Sequence, residues 1–263
     1  MIVTKDPCPF LRAREWVRKG AIWDALRPLL GNGLILAQGE EHVRQRAQIG
    51  NALSRIPRAD VEAAVASVEL PAPGERVDVA ELMTRIAEHV MRRLLFGAPA
   101  AAEIGPAIRA WLRLFPLRLL GLPVGRRHLR TIDRALAALP RPAWMPEDLG
   151  PAQTRHQLAT LYVAGVETTA AAMTWAFLKT PQPPLRFLPR RHEHTGENAI
   201  LLLSVETMFG AGPRKCIGKQ LAEQVQEVVL ELVGAVEWRP VLVDARPRLG
   251  LTNWPRAAVF ERI

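Results

Sequence analysis

Apolar positions recur at intervals of three and four along most of this chain, the period of a helix with one buried face. The plainest case is Gly218 to Val233, where Leu221, Val225, Val228, Val229 and Leu232 fall on one stripe. The same pattern predicts a helix over Glu40 to Leu53, and a long one over Val77 to Phe96 that is introduced by the loop Pro71 to Gly74 and closed by Gly97. Shorter helices are expected over Ala107 to Leu114, stopping before Pro116, and over Arg126 to Leu139, after Pro123 and Gly125. Pro140, Pro142 and Pro146 then make a connector. The most apolar segment, Ala152 to Leu178, predicts a central helix. Near the N-terminus, Arg14 to Leu30 reads as helix-rich and is broken by the turn Gly31, Asn32, Gly33. The proline-rich run Pro181 to Pro189 cannot continue a helix. Strand-like material is expected only near the C-terminus: a short strand over Ala199 to Val205, and short strands broken by prolines within Ala235 to Phe260. No internal repeat is visible. The fold class is mainly α with a reduced small β region, and one domain spanning 1–263 is expected.

Composition narrows this picture. With 263 residues, 49% of them hydrophobic, the chain can bury a sizeable core. The longest apolar stretch, Leu158 to Leu178, carries Glu167 at its centre with Gly165 beside it, which argues for a buried helix and against a membrane span. The opening residues MIVTKDPCPF lack a basic start followed by an apolar run, so no signal peptide is read there. A soluble, cytoplasmic, monomeric protein is the expectation. A net charge of +9 would suit nucleic acid or an acidic surface, yet the arginines are scattered through helical segments, which argues against nucleic acid. Two cysteines, Cys8 and Cys216, cannot build a disulfide framework and are too few for a cysteine-ligated iron–sulfur cluster.

Cys216 carries the candidate chemistry. It lies in Phe209 to Gly218, FGAGPRKCIG, just before the helix that begins near Gly218 and just after Arg214 and Lys215. A thiol ionises more easily beside cations and at a helix N-terminus. Gly210, Gly212 and Gly218 remove side chains where the backbone would pass close to something large and flat, and Pro213 stiffens the loop, so the loop reads as facing a cofactor. The plainer alternative is a buried, inert cysteine. A phosphate loop is excluded, because Gly212 and Gly218 enclose five residues where that motif has four, and Gln220 follows Lys219 where a metal-binding Ser or Thr should stand.

The spacing of Phe209, Gly212, Arg214, Cys216 and Gly218 resembles the heme-ligand loop of the cytochrome P450 monooxygenases. The resemblance implies a single cytochrome P450-like helical domain, and it makes Cys216 the axial thiolate on the iron of heme b (iron protoporphyrin IX), within a loop in which Phe209, Gly210 and Gly218 contact the cofactor. Arg214 would pair with a heme propionate. Upstream, Ala164, Gly165, Val166, Glu167, Thr168 and Thr169 resemble the family's oxygen-binding kink. There a missing side chain at Gly165 leaves room for a small ligand, Thr168 bonds back to the preceding turn, and Glu167 and Thr168 deliver protons. Small residues and threonines in a buried helix also serve plain packing. His42 and Arg46, four apart on one helical face, resemble the family's propionate-binding pair, against a solvent-facing basic stripe in which Arg44 and Gln45 are equally polar. The implied reaction inserts one atom of dioxygen into a small apolar substrate, with electrons from a separate ferredoxin- or flavodoxin-type protein docking over the cysteine loop. Lys215 and Lys219 fit such a surface, as they fit a merely solvated basic face.

The chain is shorter than the family pattern. The gaps lie before residue 14, near 139–146 and near 177–184, and the last should hold a helix bearing Glu-x-x-Arg, whose buried charges brace the cysteine loop with a later arginine. No Glu-x-x-Arg occurs downstream of Thr169; Glu15 to Arg18 and Glu41 to Arg44 have the spacing but lie upstream, and Arg186 or Arg190 is the candidate later arginine. Two readings stay open: a compact heme-thiolate monooxygenase with altered bracing, or a catalytically inactive, truncated homologue or fragmentary gene model acting at most as a helical binding protein.

Overall fold

The computed structural model describes residues 2–4, 7–13, 21–97, 102–180, 188–192, 194–201, 209–248 and 253–263. A strand β1 (Ile2–Thr4) and a short helix α1 (Cys8–Arg12) precede two single-turn helices, α2 (Ala21–Asp24) and α3 (Arg27–Leu30). Then follow α4 (Gly39–Leu53), α5 (Arg58–Ala66), strand β2 (Arg76–Asp78) and α6 (Val79–Phe96). Next come α7 (Ile104–Arg113), α8 (Phe115–Leu119), α9 (Arg126–Ala137) and the central α10 (Pro151–Phe177). Strands β3 (Leu188–Arg191) and β4 (Asn198–Leu201), a 3-10 turn over Gly212–Arg214, α11 (Lys219–Gly234) and the hairpin β5 (Trp238–Arg248) with β6 (Trp254–Arg262) complete the order.

The long helices lie where the apolar period places them. In α6, Asp78 accepts the backbone N–H groups of Ala80 and Glu81, satisfying two of the donors a helix start leaves orphaned. Its buried stripe, including Met83, Ile86 and Val90, packs on Leu158, Tyr162 and Val166 of α10, and Phe96 stacks on Tyr162 with ring centroids 5.6 Å apart. Each fully buried aliphatic side chain contributes about 1.5–3 kcal/mol, so this contact anchors the core. The turn before α4 is equally tight. A Cβ on Gly33 would overlap the Thr160 hydroxyl, and one on Gly31, at φ +55°, would overlap the His156 ring, so the turn lies directly on α10.

The strands depart from expectation. One three-stranded sheet has the order β1-β4-β3, with β1 parallel to β4, so strand structure also occurs at the N-terminus. The other runs β2-β6-β5, and its long hairpin continues through Pro240, Pro247 and Pro255. Prolines are tolerated there because β5 is an edge strand, irregular between Pro240 and Leu242 and between Asp244 and Pro247, while Pro255 stands near the start of β6. α7 ends before Pro116 as expected, and Pro116 then sits in the first turn of the short α8, where a proline gives up an N–H that has no helical partner. Residues 14–20, 181–187 and 202–205 of the expected segments lie outside the described residues, Arg186 among them.

Candidate cofactor-binding site

The cysteine loop is shaped by its own backbone. The N–H of Cys216 donates to the Phe209 carbonyl at 2.8 Å, that of Lys215 to Gly212 at 3.1 Å, and Gly210 and Gly212 adopt φ of +68° and +62°. Only glycine holds that conformation without strain, so the two glycines fold the chain back and present Cys216 at the start of α11. There the backbone amide of Gly218 lies on the side of the Cys216 sulfur where it favours the thiolate. Cys216 is exposed to a groove, yet the protein packed around the sulfur disfavours its charge and pushes the thiol up; the Gly218 amide and then the Arg46 guanidinium act in the opposite direction.

The groove, of about 770 Å³, is lined by His42 and Arg46 on α4, by Lys215 and Cys216 in the loop and by Lys219 on α11. His42 is buried; desolvation lowers the affinity of Arg46 for its proton, with the neighbouring Cys216 acting against it. The structure thus brings together Cys216, His42 and Arg46, three residues that the sequence singles out from positions far apart. Lys219 contacts Glu223 at 3.6 Å and lies over the Phe209 ring at 5.4 Å, whereas Lys215 is exposed.

Other predicted residues sit differently. Arg214 sends two guanidinium nitrogens to the carbonyls of Leu34 (3.2 Å) and Ala37 (2.6 Å), tying the cysteine loop to the turn before α4. Those donors are committed to backbone, where the family pattern puts a propionate. Gly212 gives its missing side chain to α1, for a Cβ there would overlap the Leu11 carbonyl oxygen; Gly218 faces open space. On α10, the Thr168 hydroxyl donates to the Ala164 carbonyl at 2.6 Å, the back-bond read from sequence, but the helix continues through it without a break. Thr168 is exposed, and Ala164, Gly165 and Glu167 are half-buried. The space beside Gly165 belongs to Met91 of α6, whose terminal methyl would overlap an added Cβ. None of residues 164–168 lines the groove at Cys216.

Gln45 corrects the reading of α4 as a stripe with Arg44 and Gln45 alike. Gln45 is fully buried: it donates to Asn32 O at 2.9 Å and to Glu41 Oε1 at 2.6 Å, and accepts from Gln157 Nε2 of α10 at 2.7 Å. Gln157 Oε1 in turn accepts the Leu34 N–H. This buried network sets the rotation of α4 that turns His42 and Arg46 to the groove. Nothing in the local sequence separates Gln45 from Arg44, which is exposed and pairs with Glu41.

The donor set fits an iron–thiolate group, because an exposed cysteine faces a groove with the Arg46 cation and His42 in the same lining. No family model matches the chain. It is 29% identical over 201 residues to a cyclooctat-9-en-7-ol 5-monooxygenase of Streptomyces melanosporofaciens, covering 60% of this chain and 44% of that protein. It is 27% identical over 249 residues to a cyclooctatin synthase of the same organism, covering 78% of this chain and 51% of the relative. The chain therefore spans about half the length of the curated relatives it matches. Among solved structures, a six-coordinated cytochrome P450 of Thermus thermophilus superposes with a TM-score of 0.75 at 19% identity, over 99% of this chain and 91% of that one. CYP175A1, from a second strain of Thermus thermophilus, gives 0.76 at 20%, over 99% and 88%. With the Phe209 to Gly218 loop in place on that scaffold, the chain is a shortened form of the cytochrome P450 fold.

Proposed function

We propose that the chain is a heme-thiolate monooxygenase that inserts one atom of dioxygen into a small apolar organic substrate and takes its electrons from a separate ferredoxin- or flavodoxin-type protein. The observation that carries this reading is Cys216, presented by a glycine-shaped loop to a groove that His42 and Arg46 also line. Cys216 would ligate the iron of heme b, and His42 and Arg46 would neutralise its carboxylates. When bound, the group supplies dioxygen binding and reductive activation. The Gly218 N–H and the Arg46 charge hold negative charge on sulfur against the surrounding desolvation. Thr168 keeps its oxygen lone pairs open to accept while its hydrogen is held by Ala164 O, so it can pass a proton on only as it releases that bond; Glu167 is the adjacent reservoir. Lys215 offers a charge to an acidic electron donor. The cyclic alkenol named for one relative belongs to the apolar substrate class proposed here.

The test is to express the chain with heme supply, reduce it and add carbon monoxide. A red-shifted Soret band that Cys216→Ala abolishes and Cys8→Ala retains is the expected result; a cooperatively folded protein that takes up no heme overturns the proposal and favours the heme-free helical binding protein. That second reading draws on the missing Glu-x-x-Arg, on the commitment of Arg214 to carbonyls and on Met91 beside Gly165. For the proton route, Thr168→Ala should lower product formed per electron consumed, and an unchanged ratio removes Thr168 from it.

A further inference from the structure

A second cavity, of about 250 Å³, opens between α6, α7 and α10 and shares no residue with the groove at Cys216. Tyr162 of α10 lines it, and although this side chain is only 2% exposed, its hydroxyl has no hydrogen-bond partner among the described residues. Burial pushes the phenol up to about 12, against the opposing pull of Arg109 and Arg92, so it keeps its proton and stands as a donor without an acceptor. A buried hydroxyl in that state destabilises the fold and calls for an explanation. Gly105, in the first turn of α7, gives up its side chain at the same oxygen: a Cβ there would stand 2.6 Å from the Tyr162 hydroxyl and 3.3 Å from Glu88 Oε1.

The charges around this oxygen do not balance. Arg85, Glu88, His89 and Arg92 line the cavity from one face of α6, at helical spacings of three, four and seven residues. Glu88 is already paired with Arg109 of α7, whereas neither Arg85 nor Arg92 has a hydrogen bond or ion pair among the described residues. Three guanidiniums thus face one carboxylate. His89 reports the same excess: burial, and then the cations Arg92 and Arg93, push it down, and its Nε2 lies 2.8 Å from the Ser67 hydroxyl. The N-terminus of α7 reaches the cavity as well, through Ala102, Gly105 and Pro106, with no acid in its first turn and no side-chain cap from Glu103. Its dipole favours negative charge there.

We propose that this cavity binds a small dianionic oxyanion of the phosphate class, held by the Arg85 and Arg92 guanidiniums, the Tyr162 hydroxyl and the first turn of α7. One ligand type meets every group the protein leaves unmet: the phenol gains an acceptor, the two guanidiniums a counter-charge, and the helix end an anion. The arginine fork suits phosphate oxygens, and two charges on the ligand match two unpaired cations. A cation is refused by the net charge, an apolar guest leaves the hydroxyl unpaired, and water alone brings no counter-charge. Tyr162 stands one turn before Gly165, so the bound anion also ties α6 and α7 to the middle of α10. Nothing in this site depends on the Cys216 groove, so it stands whether or not heme binds.

Calorimetric titration of the full chain with sodium phosphate, at an ionic strength held constant with sodium chloride, tests the assignment. Glycerol 3-phosphate is titrated beside it, and whichever of the two binds more tightly tells a phosphate monoester from the free ion. Saturable binding is expected, weakened about tenfold by Arg85→Gln or by Arg92→Gln and about fivefold by Tyr162→Phe. Melting supplies a sign that a merely structural tyrosine would not give. Tyr162→Phe removes an unpaired hydroxyl, so in chloride it should melt no lower than the parent, and in saturating phosphate it should melt below it. Phosphate that acts no differently from chloride, or binding unmoved by all three variants, overturns the proposal. So does a Tyr162→Phe protein that melts lower in chloride alone, which would leave the hydroxyl to water, or loss of binding through Arg46→Gln instead, which would put the anion in the cysteine groove.

Discussion

Arg46 lies near enough to Cys216 for each to shift the protonation of the other. Since burial raises the thiol, alkylation of Cys216 by iodoacetamide should accelerate with pH through a range above the ordinary cysteine range. Arg46→Leu removes a cation that favours the thiolate, so the profile should move further up and the rate at any fixed lower pH should drop. Measured in a Cys8→Ser background, an unmoved profile would show that the two side chains are uncoupled. Gly165 makes a second case. Gly165→Ala should cost about 1–3 kcal/mol, because Met91 must give way, and a double-mutant cycle with Met91→Ala should show a coupling of about 0.5–3 kcal/mol in denaturant unfolding. Cys216 was legible in sequence because its glycines, cations and helix start are local. The neighbour of Gly165 was not, since Met91 comes from a different helix, and glycine signals a close approach without naming what approaches.

Helices announce themselves through punctuation. Gly97 closes α6, Pro151 opens α10, and the expected boundaries fall within a few residues of those observed. Strand pairing carries no such local mark: Asp78 finds Val259, and Ile2 finds Ala199, across most of the chain. The buried amide network between α4 and α10 is invisible for the same reason, Gln45 and Gln157 being 112 residues apart. Gln45→Leu leaves the Gln157 amide without its acceptor and should destabilise by about 1–3 kcal/mol, with heme affinity falling as α4 loses its rotation. Gly33→Ala should be costlier to folding than the other glycine changes in this region, since backbone at His156 O, 2.7 Å from the new Cβ, cannot swing aside as a flexible side chain can. Chemical denaturation of the two variants ranks them, and a Gly33→Ala protein as stable as the parent would refute the close packing of this turn on α10.

At the scale of the whole molecule, fold and ligand stand or fall together. A group that binds only the folded chain raises stability by about 2.7 kcal/mol at a hundredfold excess over its dissociation constant. Added hemin should therefore raise the melting midpoint in a concentration-dependent way, and Cys216→Ser should remove the rise; a midpoint indifferent to hemin would separate the folded state from the cofactor. The overall architecture was legible from the ordered motifs. The packing of Arg118 and Gly125 on the Trp111 ring was not, since no local pattern marks it.

The pairing of β1 with β4, and of Leu11 with Gly212, also sets a schedule. During synthesis the first strand waits for Ala199, roughly 10–40 s at ordinary elongation rates, before it can pair. The backbone seat of the cysteine loop is likewise finished by a segment made long before it. Any capture of a cofactor through Cys216 would then follow synthesis of everything from β1 to the cysteine loop, and nascent protein with an exposed β1 edge would be its precursor.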